Sequence, residues 1–162
     1  MVLNKLFFFS AILSFFSLHA QKEMNHLFIE AGGPAEYGSF NYERIIVQKA
    51  NFTFANRIGL SMNNFKDYNG NFNPTILIPF GGDFFYGKTH HLEVDLGANF
   101  SSVIENNVNS KIRDNYLSAF GFVGYRYKKD TKRLIFRAGY NPILDHFKRL
   151  SHWGSLSIGF TL

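Results

Sequence analysis

The end of the chain alternates strictly between apolar and small or polar residues. Leu156, Ile158, Phe160 and Leu162 fall on one face; Ser155, Ser157, Gly159 and Thr161 fall on the other. The stretch before residue 101 follows the same rule, with Leu92, Val94, Leu96, Ala98 and Phe100 set against Glu93, Asp95, Gly97 and Asn99. A period of two places successive side chains on opposite faces of a strand. Applied along the chain, it predicts eight strands, near 26–33, 38–48, 52–62, 74–86, 90–101, 115–128, 133–141 and 152–162. Each approaches the about 9–11 residues that a tilted strand needs to cross a bilayer. An even strand number is what a single-chain bacterial barrel requires.

The connections alternate as well. Short ones near Lys49, near Lys88 and at Asp130-Thr131 follow the second, fourth and sixth strands. Longer polar ones at 63–73, 102–114 and 142–151 follow the third, fifth and seventh; the one after the first, near Pro34, is intermediate. Short inner turns and longer outer loops mark outer-membrane barrels, and eight strands then leave both termini on the periplasmic side. A soluble, lipocalin-like binding barrel would turn the apolar face inward. The opposite polarity is favoured, because the polar face is rich in Gly and Ser yet carries charges. Tyr86, Tyr125 and Tyr127 also sit on the apolar face at strand ends, where an aromatic girdle belongs. The fold class expected is therefore all-β, an eight-stranded antiparallel up-and-down transmembrane β-barrel.

The first 20 residues stand apart. Lys5 precedes an apolar run from Leu6 to Leu18, and Ser17-Leu18-His19-Ala20 offers small residues at a cleavage site before Gln21. This reads as a secretory signal peptide over 1–20, followed by one barrel domain over 21–162. After Gln21 no apolar run approaches the roughly 20 residues of a membrane helix. The chain has no Cys, so neither a disulfide nor a lipidated Cys anchor contributes. Net charge is +5, but the one dense basic run, Lys128-Lys129-Asp130-Thr131-Lys132-Arg133, reads as a solvated turn rather than a nucleic-acid stripe. Aromatics reach 18%, with 20 Phe, which suits a wall that meets lipid.

Several segments resemble a recurring pattern in small outer-membrane barrels of Bacteroidota-type Gram-negative bacteria. They are Ser39-Phe40-Asn41-Tyr42-Glu43-Arg44, Asn56-Arg57-Ile58-Gly59, His91-Leu92-Glu93-Val94, Gly124-Tyr125-Arg126-Tyr127, Phe136-Arg137-Ala138-Gly139-Tyr140-Asn141-Pro142 and Ser157-Ile158-Gly159-Phe160. The resemblance spans most of residues 28–162. It implies the barrel fold and an outer-membrane address, and it implies no reaction. The expected partners are outer-membrane lipids and lipopolysaccharide, with barrel-assembly machinery during biogenesis. A monomer without cofactor or nucleic-acid partner is expected.

Candidate chemistry is sparse. His90 and His91 are adjacent, so on a strand they point to opposite faces and cannot share a metal. His146, His152 and Asp145 fall in the last long connection without ligand spacing. Some eight-stranded outer-membrane barrels deacylate lipid A with a His and a Ser two apart on a late strand. Here Gly154 stands two after His152, and Ser155 falls on the other face. A nucleophile must lie within hydrogen-bond reach of its base, so a lipid A-modifying hydrolase is the lesser alternative and no catalytic residue is assigned.

The inward charges are more informative. An eight-stranded lumen is only wide enough for its own side chains. A turn centred on Ala50 sets Glu43 opposite Arg57 inside, and Arg44 opposite Asn56 outside. A turn centred on Lys88 sets Asp83 opposite Glu93. Glu30, Glu43, Asp83, Glu93 and Asp95 are thus expected to form a lumen belt with Arg57, Arg126 and Arg137, with Gly59, Gly97, Gly121 and Gly139 leaving room. Five acids against three arginines imply a shared proton or an extra cation. Loop contacts are expected from Lys111, Arg113, Lys148 and Arg149. Export has a direct check: N-terminal sequencing of outer-membrane protein from the native host should begin at Gln21. Recovery of the full-length chain in the cytoplasm would contradict it.

Overall fold

A computed structural model describes residues 24–66, 70–104, 113–129 and 133–162. The signal segment 1–20, Lys111 and the Asp130-Thr131 turn lie outside the described residues. Eight antiparallel strands close into one barrel in simple sequence order. They are β1 (Asn25–Gly32), β2 (Gly38–Lys49), β3 (Phe52–Asn63), β4 (Thr75–Gly87), β5 (His90–Ile104), β6 (Arg113–Lys128), β7 (Leu134–Leu144) and β8 (Leu150–Thr161). Closure is completed by β1 against β8, where Ile29 pairs with Ile158 and Glu30 with Ser157. No edge strand is left with unpaired backbone groups, the condition for a sheet to survive in hydrocarbon.

Alternation sorts the side chains as expected. Ile29, Phe40, Ile58, Leu60, Leu92, Leu96, Leu156 and Phe160 stand on the outside, while Glu30, Glu43, Arg57, Glu93 and Arg126 are buried inside. This polarity is the reverse of a soluble barrel, and it makes the outer wall an apolar band. Near the short-turn end that band turns aromatic. Phe84 lies between Phe52 and Phe54, at 6.4 and 4.8 Å, and Tyr127 packs on Phe136 at 6.5 Å.

Two prolines lie within strands, where a missing N–H would break the ladder. Each sits where pairing to one neighbour lapses. The β3–β4 ladder skips from Ile58↔Phe80 to Ser61↔Leu77, around Pro79. The β6–β7 ladder skips from Val123↔Tyr140 to Phe120↔Ile143, around Pro142. Because β7 continues through Pro142 to Leu144 and β8 begins at Leu150, the long connection expected at 142–151 shrinks to a turn over 145–149. Gly121 also differs from expectation. It pairs with outward Leu96, and a Cβ on it would meet Pro142 rather than the lumen.

Register holds for one hairpin and slips for another. Glu43 does pair with Arg57, and Arg44 with Asn56. The turn itself lies at Ala50-Asn51, and a bulge between Ile45 and Val47 restores the register above it. In the β4–β5 hairpin the innermost pair is Gly87↔His91, so Asp83 faces Asp95 and Phe85 faces Glu93. The expected Asp83–Glu93 pairing is off by two residues, because the turn is centred on Thr89 rather than on Lys88. A slip of two keeps every side chain on its own face.

The connection after β1 folds inward. Gly33, Pro34 and Ala35 form a buried 3-10 turn touching β2, β4, β7 and β8. Asn99 Nδ2 on β5 donates to the Pro34 carbonyl at 2.8 Å. Gly32 and Gly33 make the entry possible, with φ of 75° and 80°, and a Cβ on Gly32 would lie 2.2 Å from the Gly154 carbonyl oxygen. The apolar band yields a depth-dependent prediction. Leu96→Arg, near mid-strand, should cost about 2–4 kcal/mol in reversible unfolding from lipid, and Leu92→Arg, near the strand end, about 0–1 kcal/mol. Equal costs at both sites would contradict the membrane orientation of the wall.

Candidate functional site

Eight charged side chains expected in the lumen are all buried there, and the structure shows how they connect. Arg57 on β3 donates from Nη2 to Glu30 on β1 and from Nη1 to Asp95 on β5 at 3.4 Å. Arg137 on β7 donates from Nη2 to Asp95 at 2.8 Å, and to Glu93 from Nε at 2.9 Å and from Nη2. Arg126 on β6 donates from Nε to Glu93 at 2.7 Å. Its Nη1 and Nη2 grip both oxygens of Glu43 on β2, at 2.7 and 2.5 Å. The order is therefore Glu30, Arg57, Asp95, Arg137, Glu93, Arg126, Glu43, acid and base in strict alternation. Six of the eight strands contribute. A guanidinium suits this role, because its planar fork can bridge two carboxylates.

Aromatic rings complete the guanidinium surroundings. Arg126 lies over Phe85 with 4.0 Å to the centroid, and Arg137 lies between Phe28 and Phe122 at 4.5 and 5.0 Å. A desolvated cation gains from a ring face. The glycines make space for these rings and for one amide, more than for the arginines. A Cβ on Gly139 would lie 2.4 Å from the Phe122 ring, and one on Gly97 2.6 Å from Phe120. One on Gly59 would strike Asn41 Oδ1, which accepts from Arg57 Nε at 3.1 Å.

Facing across a ladder did not predict contact. Glu43 and Arg57 are backbone partners, yet their ion pairs run to Arg126 and to Glu30 and Asp95. Long side chains in a narrow lumen reach across it rather than along the wall. Two members were also missed. His26 Nδ1 meets Glu43 at 2.5 Å, and Lys128 Nζ meets His26 Nε2 at 2.8 Å. An ammonium has no acceptor, so His26 Nε2 accepts from Lys128 and Nδ1–H donates to Glu43. Parity held the signal: His26 lies four before Glu30 and Lys128 two after Arg126, on the same inward faces.

Lys128 is a fourth buried base beside the three arginines, bonded to His26, and five acids against four bases leave one acid over. Asp83 occupies that position. It is fully buried, neither carboxyl oxygen has a hydrogen-bond partner, and Arg126 approaches only to 3.9 Å. Glu43, Asp83 and Glu93 bring carboxylate oxygens within 4.8 Å of one another, a grouping that could hold a metal. Arg126 already bonds Glu43 and Glu93, so the guanidinium supplies the positive charge at that point.

The other candidate residues lie elsewhere. Arg113 is held by Asn73 Oδ1 at 2.7 Å, the Pro74 carbonyl at 2.9 Å and Ser102 Oγ at 3.2 Å, so it ties loop bases together rather than reaching outward. Arg149 pairs with Asp145 at 3.1 Å and lies over Phe147, while Lys148 is exposed at the turn with φ 61°. The Arg149 backbone N–H and guanidinium hold the Asp145 carboxyl below its usual range. In the inward-folded connection, burial pushes the Glu36 carboxyl up. His90 and His91 do face opposite ways: His90 meets Tyr125 Oη on the outside at 2.5 Å, and His91 is buried. His152 bonds Tyr140 Oη on the outer wall, whereas Ser155 is buried inside.

No protein-family model matches the chain, and no curated protein matches it. Solved structures do. The N-terminal β-barrel domain of Pseudomonas aeruginosa OprF matches with a TM-score of 0.58 and 12% identity, covering 85% of this chain and 95% of that one. The Yersinia pestis outer membrane protein Ail, determined in a phospholipid bilayer nanodisc, matches with a TM-score of 0.52 and 9% identity, covering 87% and 100%. The likeness is one of fold. It places this chain's architecture with small outer-membrane barrels of eight strands.

The connectivity sets a double-mutant prediction. Breaking a buried pair by removing one partner costs about 3–5 kcal/mol. A cycle on Glu30 and Arg57 should therefore show strong coupling, and a cycle on Glu43 and Arg57 much less. Amide replacement should be harmful at Glu43 and Glu93 and harmless or stabilising at Asp83. Uniform effects at all three acids would contradict the assigned partners.

Proposed function

We propose that the chain is an outer-membrane barrel of the Bacteroidota-type kind whose lumen is closed by its own side chains, with a structural role or one carried by its loops rather than a catalytic one. The observation that carries this reading is the alternating ladder across the lumen. The three guanidiniums together join carboxylates from β1, β2 and β5, in the space through which a solute would have to pass. The 3-10 turn above it adds a second obstruction. The apolar outer wall with its aromatic band supports residence in a bilayer, and the signal-like segment 1–20 supports export of a mature chain over 21–162.

The reading makes the barrel a rigid scaffold. Loops on a rigid scaffold are where binding evolves. Lys148 stands exposed in the last turn, beside the Arg149–Asp145 pair, and lipopolysaccharide phosphates are the fitting partner for these bases. Arg113 drops out of that set, because its donors serve the loop bases. A monomer needs no partner chain to close the sheet, since β1 and β8 already pair.

Conductance tests the closed lumen. The mature barrel in a planar bilayer should show no steady single-channel current, and an Arg126→Gly, Glu43→Gly double variant should admit one. A steady current through the unmodified barrel would contradict the reading.

A further inference from the structure

The short-turn mouth of the barrel contains a pocket of about 300 Å³ that meets the charge network only through Lys128, which keeps a donor on His26. Its lining is mostly polar, and among the described residues it includes Lys88, Lys128, His91, Thr53 and Gln48 and no carboxylate. Thr53, His91 and Lys128 are inward-facing strand residues, so the pocket opens within the wall rather than onto the lipid side.

Bases cluster at this end of the barrel. Lys49, Lys129 and Arg133 stand at the same end, at the last residue of β2, just past β6 and just before β7. Deeper in the lumen, the acids Glu43 and Glu93 are already clasped by Arg126, which screens them from the mouth. A concave site lined by one sign of charge concentrates the opposite ion.

A second observation points to a ligand. His91 is 6% exposed, yet its Nδ1 has no hydrogen-bond partner. Its ring is braced edge-on against Phe85 at 5.4 Å, so it is held in place while one nitrogen goes unused. Buried polar atoms are nearly always satisfied, and a nitrogen that is not, in the wall of a polar pocket, fits a bound group.

We propose that this mouth binds a small soluble oxyanion, a phosphate or carboxylate group, held by Lys88, Lys128 and His91. On the orientation proposed above the site faces the periplasm; binding in detergent does not depend on that orientation, so the two readings fail separately. An oxyanion accepts several charge-assisted hydrogen bonds at once, which suits two ammonium groups and an imidazole. The occupant is a solute rather than a lipid headgroup, because the lining residues face into the barrel.

The mature barrel in a maltoside detergent should be titrated with inorganic phosphate, with acetate in parallel, by calorimetry. Saturable binding is expected for both. Lys88→Met, in an exposed turn that the fold does not need, should weaken it roughly tenfold or more, the worth of a hydrogen bond to a charged group. His91→Leu should weaken it too, and Lys49→Met, outside the pocket, should leave it unchanged. Nanodiscs of phosphatidylcholine and of phosphatidylglycerol should then bind phosphate equally. Absence of saturable binding, or wild-type affinity in Lys88→Met, would overturn the site. Displacement of phosphate in the phosphatidylglycerol discs alone would overturn the soluble occupant in favour of a headgroup.

Discussion

A guanidinium buried inside a closed sheet has lost its water and must find its charge partners in the wall. That constraint organises the lumen. Arg57 and Arg126 each meet acids from two different strands, and Arg137 on β7 clasps Glu93 and Asp95 of β5, so every arginine needs an acid from a strand that is not its backbone neighbour. A ladder built this way contributes little net stability when complete, because desolvation offsets most of the attraction. It costs a great deal when incomplete. The arrangement therefore penalises wrong registers more than it deepens the right one. In a barrel whose outer wall meets lipid, where sliding strands costs little apolar burial, that penalty is the stronger source of specificity.

The same logic explains what surrounds the ladder. Phe28, Phe85 and Phe122 offer ring faces to the cations and exclude water from them. Gly97, Gly124 and Gly139 leave room for Phe120 and Phe122 where a Cβ would collide. Asn41 takes the remaining Nε–H of Arg57. Above the ladder, the inward 3-10 turn fills space that longer side chains would otherwise occupy. Asp83 is the exception, a buried carboxyl without a hydrogen bond, and it marks the point where the charge pattern is least balanced.

The strands and the inward set were legible in the sequence because a period of two survives small errors of register. The hairpin at Lys88 shows this: the true register differs by two, and every residue keeps its face. Cross-lumen partners were not legible. Backbone pairing specifies height and face, but a long side chain in a narrow tube meets residues three or four strands away, as Arg126 does with Glu43. His26 and Lys128 were accessible by parity and were overlooked because they sit at strand ends, where an inward residue is easily taken for part of a turn. The inward fold of Gly33–Ala35 had only the glycine pair as a signal, and glycines in a connection equally suit an ordinary turn.

The most direct test of the ladder is arginine-selective nitrogen NMR of the mature barrel in micelles. Arg57, Arg126 and Arg137 should give three separate Nε–H signals that exchange slowly with water and disappear one at a time when each arginine is replaced. Nε–H signals from these three residues that are averaged with the exposed arginines and exchange rapidly would show that the guanidiniums are hydrated and that the ladder does not hold the barrel.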